Sequence, residues 1–284
     1  MAMDPAVRAR LERVYAEHPL TAGAVLERVR RSRGTLDGIR ARDLAEASEG
    51  GVTDQNHAGG AAATRALAAA VRLEAGDSVL DIATGLGGTP RLLAEEFGCR
   101  CHGVELTRSR FEDAVRLTRL VGLDMRVTFT HGDFMEVDIP GTPFDVAVCQ
   151  GAVMHFPDTA AFLRRSARRL RPGGRLAIED AVLVTLPPTA QEEEKLERLL
   201  QCWNGRFQRR DAWPALLADE GFSFDRMDDL TAVAIHDLET LVEETRTHHI
   251  DRVSGEERLG WELGLELLQT GILASVRILA TLGR

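Results

Sequence analysis

The residues best suited to chemistry begin in VLDIATGLGGTP, residues 79 to 90. The run VLDI (79–82) reads as a buried parallel strand, and it opens into the glycine loop TGLGG (84–88). TPRLLAEEF (89–97) then reads as a helix, with Pro90 near its start and Gly98 just past its end. A strand, a glycine turn and a helix N-terminus form a site for a ligand that needs close backbone approach. Glu105, in HGVELT (102–107), ends the next expected strand, where a carboxylate accepts hydrogen bonds from both ribose hydroxyls. A dinucleotide site wants G-x-G-x-x-G, and GLGGTP (85–90) puts Pro90 at the third glycine, which argues against a nicotinamide cofactor.

Three further groups are candidates for proton transfer. His155 follows another apolar run, on a loop at the carboxyl end of a strand, and is the best candidate general base. Its plainer alternative is a loop histidine that packs on the ligand or caps the next helix. His57, in DQNHAGG (54–60), contacts the ligand or a second reacting molecule, or structures its own loop. Glu179 and Asp180 follow a further strand, where one faces the reacting molecule or both serve the fold by hydrogen bonding.

These residues need a scaffold, and the chain alternates strands with helices. Residues up to about 48 read as short helices, 49–60 as a loop, and Ala61 to Val71 as an alanine-rich helix. Strands are expected near 79–82, 100–104, 125–129, 144–149 and 175–179, with a helix from an N-cap at Thr107 to about Val121 and another from Ala160 to Leu170. This rhythm predicts a parallel sheet covered on both faces. It breaks after Asp180, where QEEEKLERLL (191–200) reads as a helix inserted at about 185–215. A helix over 211–222, a strand at 223–228, helices at 238–249 and 256–269 and a closing strand at 272–282 complete the reading.

Composition narrows the function classes. The chain has 284 residues with 35 basic and 44 acidic, a net charge of −9, which argues against a nucleic-acid surface. Cys99 and Cys101 alternate onto one face of a strand, and no second pair at metal-ligand spacing follows Cys149 and Cys202. Buried packing is expected, with no metal. The first residues are charged throughout and no apolar run is long enough to span a membrane, so a cytoplasmic protein is expected.

Several segments in order resemble the Rossmann-like S-adenosylmethionine (SAM)-dependent methyltransferases over about residues 54–225. They are VLDIATGLG (79–87), GVE (103–105), HGDF (131–134), FDVAV (144–148) with HFPD (155–158), and LRPGGRL (170–176). DQNHAGG (54–60) with QGAVMH (150–155) is similar to the small-molecule branch that includes glycine-derived amine N-methyltransferases and natural-product tailoring enzymes. The resemblance implies an α/β fold: a seven-stranded, mostly parallel sheet with its last strand antiparallel, helices on both faces and a helical cover over the acceptor site. It implies N-terminal helices and a capping loop over 1–60, then the methyltransferase domain over 61–284.

By the same resemblance Gly85 and Gly87 line the methionine part of the cofactor, Asp81 meets its amino end, Glu105 holds the ribose and Asp133 the adenine. Gln55, Leu106, Phe134 and Gln150 stand beside them. Ala83 replaces the family's first loop glycine, which leaves binding intact where its dihedrals are ordinary. Tyr15, Trp203, Phe207 and Trp213 are candidate walls for an acceptor pocket. Arg206, Arg209 and Arg210 either bind an anionic acceptor or form a solvated helix face. His248 and His249 point about 100° apart on a helix and suit a surface role. In-line methyl transfer needs mainly alignment and water exclusion, so no catalytic triad is expected. The reading is N- or O-methylation of a secondary metabolite, with C-methylation of an anionic metabolite, or SAM binding without transfer, as alternatives. Family habit implies a homodimer.

Overall fold

The computed structural model describes residues 5–47, 52–141, 143–246 and 253–283. Residues 49–51 of the expected capping loop, and His248 and His249, lie outside the described residues. Its strands are β1 (Ser78–Ile82), β2 (Arg100–Glu105), β3 (Val127–His131), β4 (Phe144–Gln150), β5 (Leu170–Leu183), β6 (Phe222–Asp229) and β7 (Leu273–Leu282). They form one seven-stranded sheet in the order β3-β2-β1-β4-β5-β7-β6, with β7 antiparallel to both of its neighbours. The helices are α1 (Pro5–Glu17), α2 (Ala22–Arg33), α3 (Ala41–Ala45), α4 (Gly60–Ala70), α5 (Gly88–Phe97), α6 (Arg108–Leu120), α7 (Thr159–Arg169), α8 (Ala190–Trp203), α9 (Trp213–Asp219), α10 (Thr231–Arg246) and α11 (Gly255–Gln269). Among them no helix is long and apolar enough to cross a membrane.

The strands read as near-continuous apolar runs because both sheet faces are covered. Leu80, Ile82, Phe162 and Trp213 share one cluster, while Val79, Leu93, Val148 and Ala177 share the other. Cys99 and Cys101 pack in the second cluster. Trp213 is 1% exposed in the first, so it is core and not the pocket wall that its type suggested. The fifth strand is longer than expected. Asp180 ends the apolar run, yet antiparallel pairing with β7 continues through Leu183. The third strand starts at Val127, where pairing with Cys101 of β2 begins, and Met125 before it is exposed. Thr107 does precede α6, but its hydroxyl makes no cap bond, and its backbone N–H donates to Glu105 instead.

The helical cover has more parts than the sequence pattern showed. α8 packs against α11, and α11 against α10. Trp203 at the end of α8 lies where a Cβ on Gly260 or Gly264 of α11 would fall within 2.7 Å of its indole ring, so small residues let the two helices close.

The loop of residues 54–60 is seated on α5 by a fully buried ion pair. Arg91 Nη2 donates to Asp54 Oδ2 at 2.8 Å, and both side chains are 0% exposed. The guanidinium also donates to the Leu86 carbonyl at 2.6 Å and to the Thr118 hydroxyl at 3.0 Å. Gly88 permits the contact, since a Cβ there would sit 2.2 Å from the Asp54 carbonyl oxygen. Arg91→Leu leaves Asp54 buried and unpaired, and is expected to cost about 3–5 kcal/mol of unfolding free energy in urea denaturation. Leu at both positions is expected to recover much of that. A single-variant loss below about 1 kcal/mol would show that Asp54 finds water or another partner.

Candidate active site

A cleft of about 890 Å³ opens at the carboxyl ends of β1, β2 and β4. Asp81, Ala83, Thr84 and Gly85 line one wall, Glu105 and Leu106 the next, Asp133 and Phe134 a third, and Leu11 and Tyr15 of α1 close it from above. The Glu105 carboxylate accepts from the Gly85 N–H at 2.9 Å and the Thr107 N–H at 2.7 Å. Burial pushes its pKa up, against the pull of Arg110 and those two donors. Asp81 accepts from the Thr84 hydroxyl. Burial, with the charge of Glu105 adding to it, pushes its pKa up to about 7. Two buried carboxylates held above their ordinary range outweigh the guanidinium of Arg110 in the same lining, so the cleft suits a cationic ligand.

At one end of the cleft the Tyr15 hydroxyl lies 3.0 Å from His155 Nε2, and the two rings meet edge to face. His155 Nδ1 lies 3.4 Å from the Asn204 carbonyl oxygen. With the ring proton assigned to Nδ1, Nε2 accepts from Tyr15. Burial lowers the pKa of His155, so the neutral imidazole is favoured, and burial raises that of Tyr15.

A second, larger cavity of about 1750 Å³ meets the cleft at Asn56, His57 and Gly151. Its walls are largely apolar, with Leu20, Val52, Met154, Trp203, Leu238 and Trp261 among them. Glu179, Asp180, Asp237 and Glu244 also line it, whereas no described lining residue is Arg or Lys. Asp180 accepts backbone N–H bonds from Met154 at 3.1 Å and Ala181 at 2.8 Å, and burial pushes its pKa up to about 6.

Beneath both spaces runs one chain of polar contacts. Arg277 pairs with Glu179 at 2.5 Å, and Gln150 Nε2 donates to the other Glu179 oxygen at 2.6 Å. The Thr89 hydroxyl donates to Gln150 Oε1 at 2.8 Å and lies 3.3 Å from His57 Nε2. His57 Nε2 also lies 3.2 Å from Gln55 Oε1, and Gln55 donates to Asp54 at 2.9 Å.

Residues 73–244 match the family model described as a methyltransferase domain. The chain belongs to the methyltransferase domain family. It is 32% identical over 170 residues to 27-O-demethylrifamycin SV methyltransferase of Amycolatopsis mediterranei (strain S699), covering 59% of this chain and 62% of that one. It is 28% identical over 218 residues to phosphoethanolamine N-methyltransferase 1 of Arabidopsis thaliana, covering 73% of this chain and 43% of that one. The chain thus spans less than two thirds of the length of either relative. The fold is that of Haemonchus contortus phosphoethanolamine N-methyltransferase 2, solved with phosphomonomethylethanolamine and S-adenosylhomocysteine. The TM-score is 0.70 at 21% identity, covering 90% of this chain and 60% of that one. A methyltransferase domain of this fold takes its methyl group from SAM.

Within this methyltransferase domain the structure brings Asp81, Ala83, Gly85, Glu105, Leu106, Asp133, Phe134, Gln150 and His155 to the cleft. Gln55 and Glu179 face the larger cavity instead, and His57 touches both spaces. Gly87 lines neither. It has a φ of 75°, and a Cβ on it would strike the Phe129 ring at 2.7 Å. Both Glu179 oxygens are taken by Arg277 and Gln150, the hydrogen-bonded role that the sequence offered beside proton transfer. Tyr15 walls the cleft and not the larger cavity. Trp203 walls the cavity, and Phe207 stands behind it with ring centroids 6.1 Å apart. Arg206 is exposed, Arg209 pairs with Asp211 at 3.0 Å, and none of Arg206, Arg209 and Arg210 lines either space, which fits the solvated face and not the anion site of the two alternatives.

Sequence reasoning missed Arg91, Arg277 and Arg110. Arg277 carried a signal, an arginine inside an otherwise apolar strand, which marks a buried pair, whereas Arg91 shares its helix with Glu95 and Glu96 and carried none. Ala83 departs from expectation too. Its φ is +61°, the left-handed region that penalises a Cβ. Ala83→Gly is expected to raise stability by about 0.5–1 kcal/mol in urea denaturation. A loss of stability would show that the alanine methyl is packed usefully against the core.

Proposed function

We propose that the chain transfers the methyl group of SAM to a nitrogen or oxygen of a small, largely apolar secondary metabolite. The observation that carries this reading is the pair of joined spaces: a carboxylate-lined cleft suited to a cationic cofactor, and a larger apolar cavity meeting it at Asn56, His57 and Gly151. The relative that acts on a rifamycin supports a metabolite acceptor. A cytoplasmic enzyme without nucleic-acid or membrane partners is the setting implied, and the net charge of −9 supports the first exclusion.

When bound, the cofactor supplies an electrophilic methyl on a sulfonium whose sulfur leaves without protonation. Asp81 holds its ammonium, Glu105 its ribose, and Asp133 with Leu106 and Phe134 its adenine, while Ala83 and Gly85 carry the backbone it approaches. Gln150 stands in the same cleft wall, Gln55 faces the larger cavity beside it, and Gly87 acts from behind by letting the turn pack against Phe129. The chain's own work is then alignment and water exclusion. Tyr15 of α1 covers the cleft, and its hydroxyl, donated to neutral His155, leaves the phenol oxygen to accept a proton donor. His57, tied to Gln55 and Thr89, orients the rim between the two spaces.

Asp180 gives the acceptor its character. It is a buried carboxylate, ionised at neutral pH, in a wall where no described residue is a lysine or arginine. Such a wall suits an amine or hydroxyl on an apolar body, and it disfavours a phosphate or carboxylate. This supports N- or O-transfer over C-methylation of an anionic metabolite.

Incubation with methyl-labelled SAM and a host extract split into small-molecule and macromolecular fractions tests the reading. Label is expected in the small-molecule fraction, on a product stable as an N- or O-methyl compound. Label in protein or RNA would overturn it.

The Asp81 assignment has its own pH signature. Its folded pKa, near 7, lies above the ordinary carboxylate value, so folding favours the protonated form. The stability that this form contributes is full below about pH 4 and is lost as pH rises to about 7. Cofactor binding needs the carboxylate, so affinity for S-adenosylhomocysteine is expected to be flat above about pH 7 and to fall up to about tenfold per unit below it. Calorimetry at several pH values checks this, and Asp81→Asn is expected to flatten the profile. An unchanged slope in that variant would remove Asp81 from the cofactor's amino end.

A further inference from the structure

Arg110 is a charged wall of the cofactor cleft whose side chain is left short of partners. It sits in the first turn of α6, five residues past Glu105, and is only 5% exposed. Its Nε and Nη2 are buried with no hydrogen-bond partner. Its Cζ stands 4.4 Å from the Tyr15 ring centroid, and its Nη1 is 3.4 Å from where Gly85 would carry a Cβ. Glu105 is close enough for the charge of Arg110 to lower its pKa, yet its carboxylate accepts from the Gly85 and Thr107 backbone. Packing against Tyr15 accounts for the face of the guanidinium, but not for its two idle donors.

Nε and Nη2 share one edge of the planar guanidinium and present two parallel N–H donors, which match a pair of oxygens. Leaving such donors buried and unpaired is costly, which is tolerable where a ligand completes them. We infer that this edge of Arg110 receives two oxygens of the bound cofactor, either its carboxylate or its vicinal ribose hydroxyls, and that Arg110 is a cofactor-binding residue. The inference rests on the SAM reading of the cleft.

Binding to the purified full chain tests it without reference to turnover. S-adenosylhomocysteine is titrated calorimetrically into wild type, Arg110→Met and Arg110→Lys, and 5′-methylthioadenosine, which keeps the ribose but lacks the carboxylate, is titrated in parallel. Arg110→Met is expected to weaken S-adenosylhomocysteine by roughly tenfold to a hundredfold. Lysine keeps the charge but not the paired edge, and is expected to restore only part of the loss. The melting temperature of cofactor-free Arg110→Met is expected to hold or rise, because an uncompensated buried cation has been removed. Loss confined to S-adenosylhomocysteine assigns the carboxylate, and equal loss for both ligands assigns the ribose. Affinity within about twofold of wild type in both variants overturns the inference alone. A wild-type protein that binds neither ligand overturns the cofactor reading beneath it.

Discussion

The site depends on the buried pair between Asp54 and Arg91. Asp54 opens the loop that carries Gln55, Asn56 and His57, and Arg91 belongs to the helix that follows the glycine turn. One guanidinium thus ties together that loop, the Leu86 carbonyl of the turn and Thr118 of α6. A buried ion pair is weak evidence for net stability, because desolvation offsets most of its Coulomb energy. Its use here is register. A hydrophobic pair would hold the loop near α5 without dictating which oxygen meets which nitrogen. The polar chain from Asp54 through Gln55, His57, Thr89 and Gln150 to Glu179 and Arg277 extends the same logic across the sheet from α5 to β7.

The two spaces that meet at His57 differ in how they treat charge. In the cleft, Asp81 and Glu105 are buried close enough for the charge of Glu105 to raise the pKa of Asp81. Such an arrangement is unfavourable alone and is relieved by a cation, which gives binding a built-in electrostatic drive. In the larger cavity, the charge of Glu179 is met by Arg277 and Asp237 accepts the Gly59 N–H, while Asp180 is held by backbone donors. Polarity there is concentrated at a few points on an apolar wall, the pattern by which small-molecule sites orient a ligand.

Much of this was legible in the sequence because it depends on local pattern. Apolar runs closing on Asp81 and before Glu105 announce strand ends, and the glycine turn between them announces the cleft. Pairings made across the sheet were not legible. Nothing in the local pattern of Glu179 says that Arg277, 98 residues away, will neutralise it. Nor does Tyr15, read as a candidate pocket wall on a short helix, announce His155, 140 residues on. Aromatic type misled at Trp213 and Phe207, since size alone does not separate a core side chain from a cavity wall. The C-terminal part of the cover was read as helices, but their faces could not be assigned without the close approach that Gly260 and Gly264 allow.

Ala83 shows how the cleft carries strain. A left-handed alanine persists only where its neighbours over-determine the backbone. Here Thr84 N–H donates to the Val104 carbonyl at 3.0 Å, its hydroxyl caps Asp81, and Gly85 N–H is fixed on Glu105. All three bonds belong to residues that line the cleft. Relaxing Ala83 would therefore move both carboxylates at once. The strain and the electrostatic repulsion of Asp81 and Glu105 are held in the same turn, and a cationic ligand that relieves the second also stabilises the bonds that impose the first.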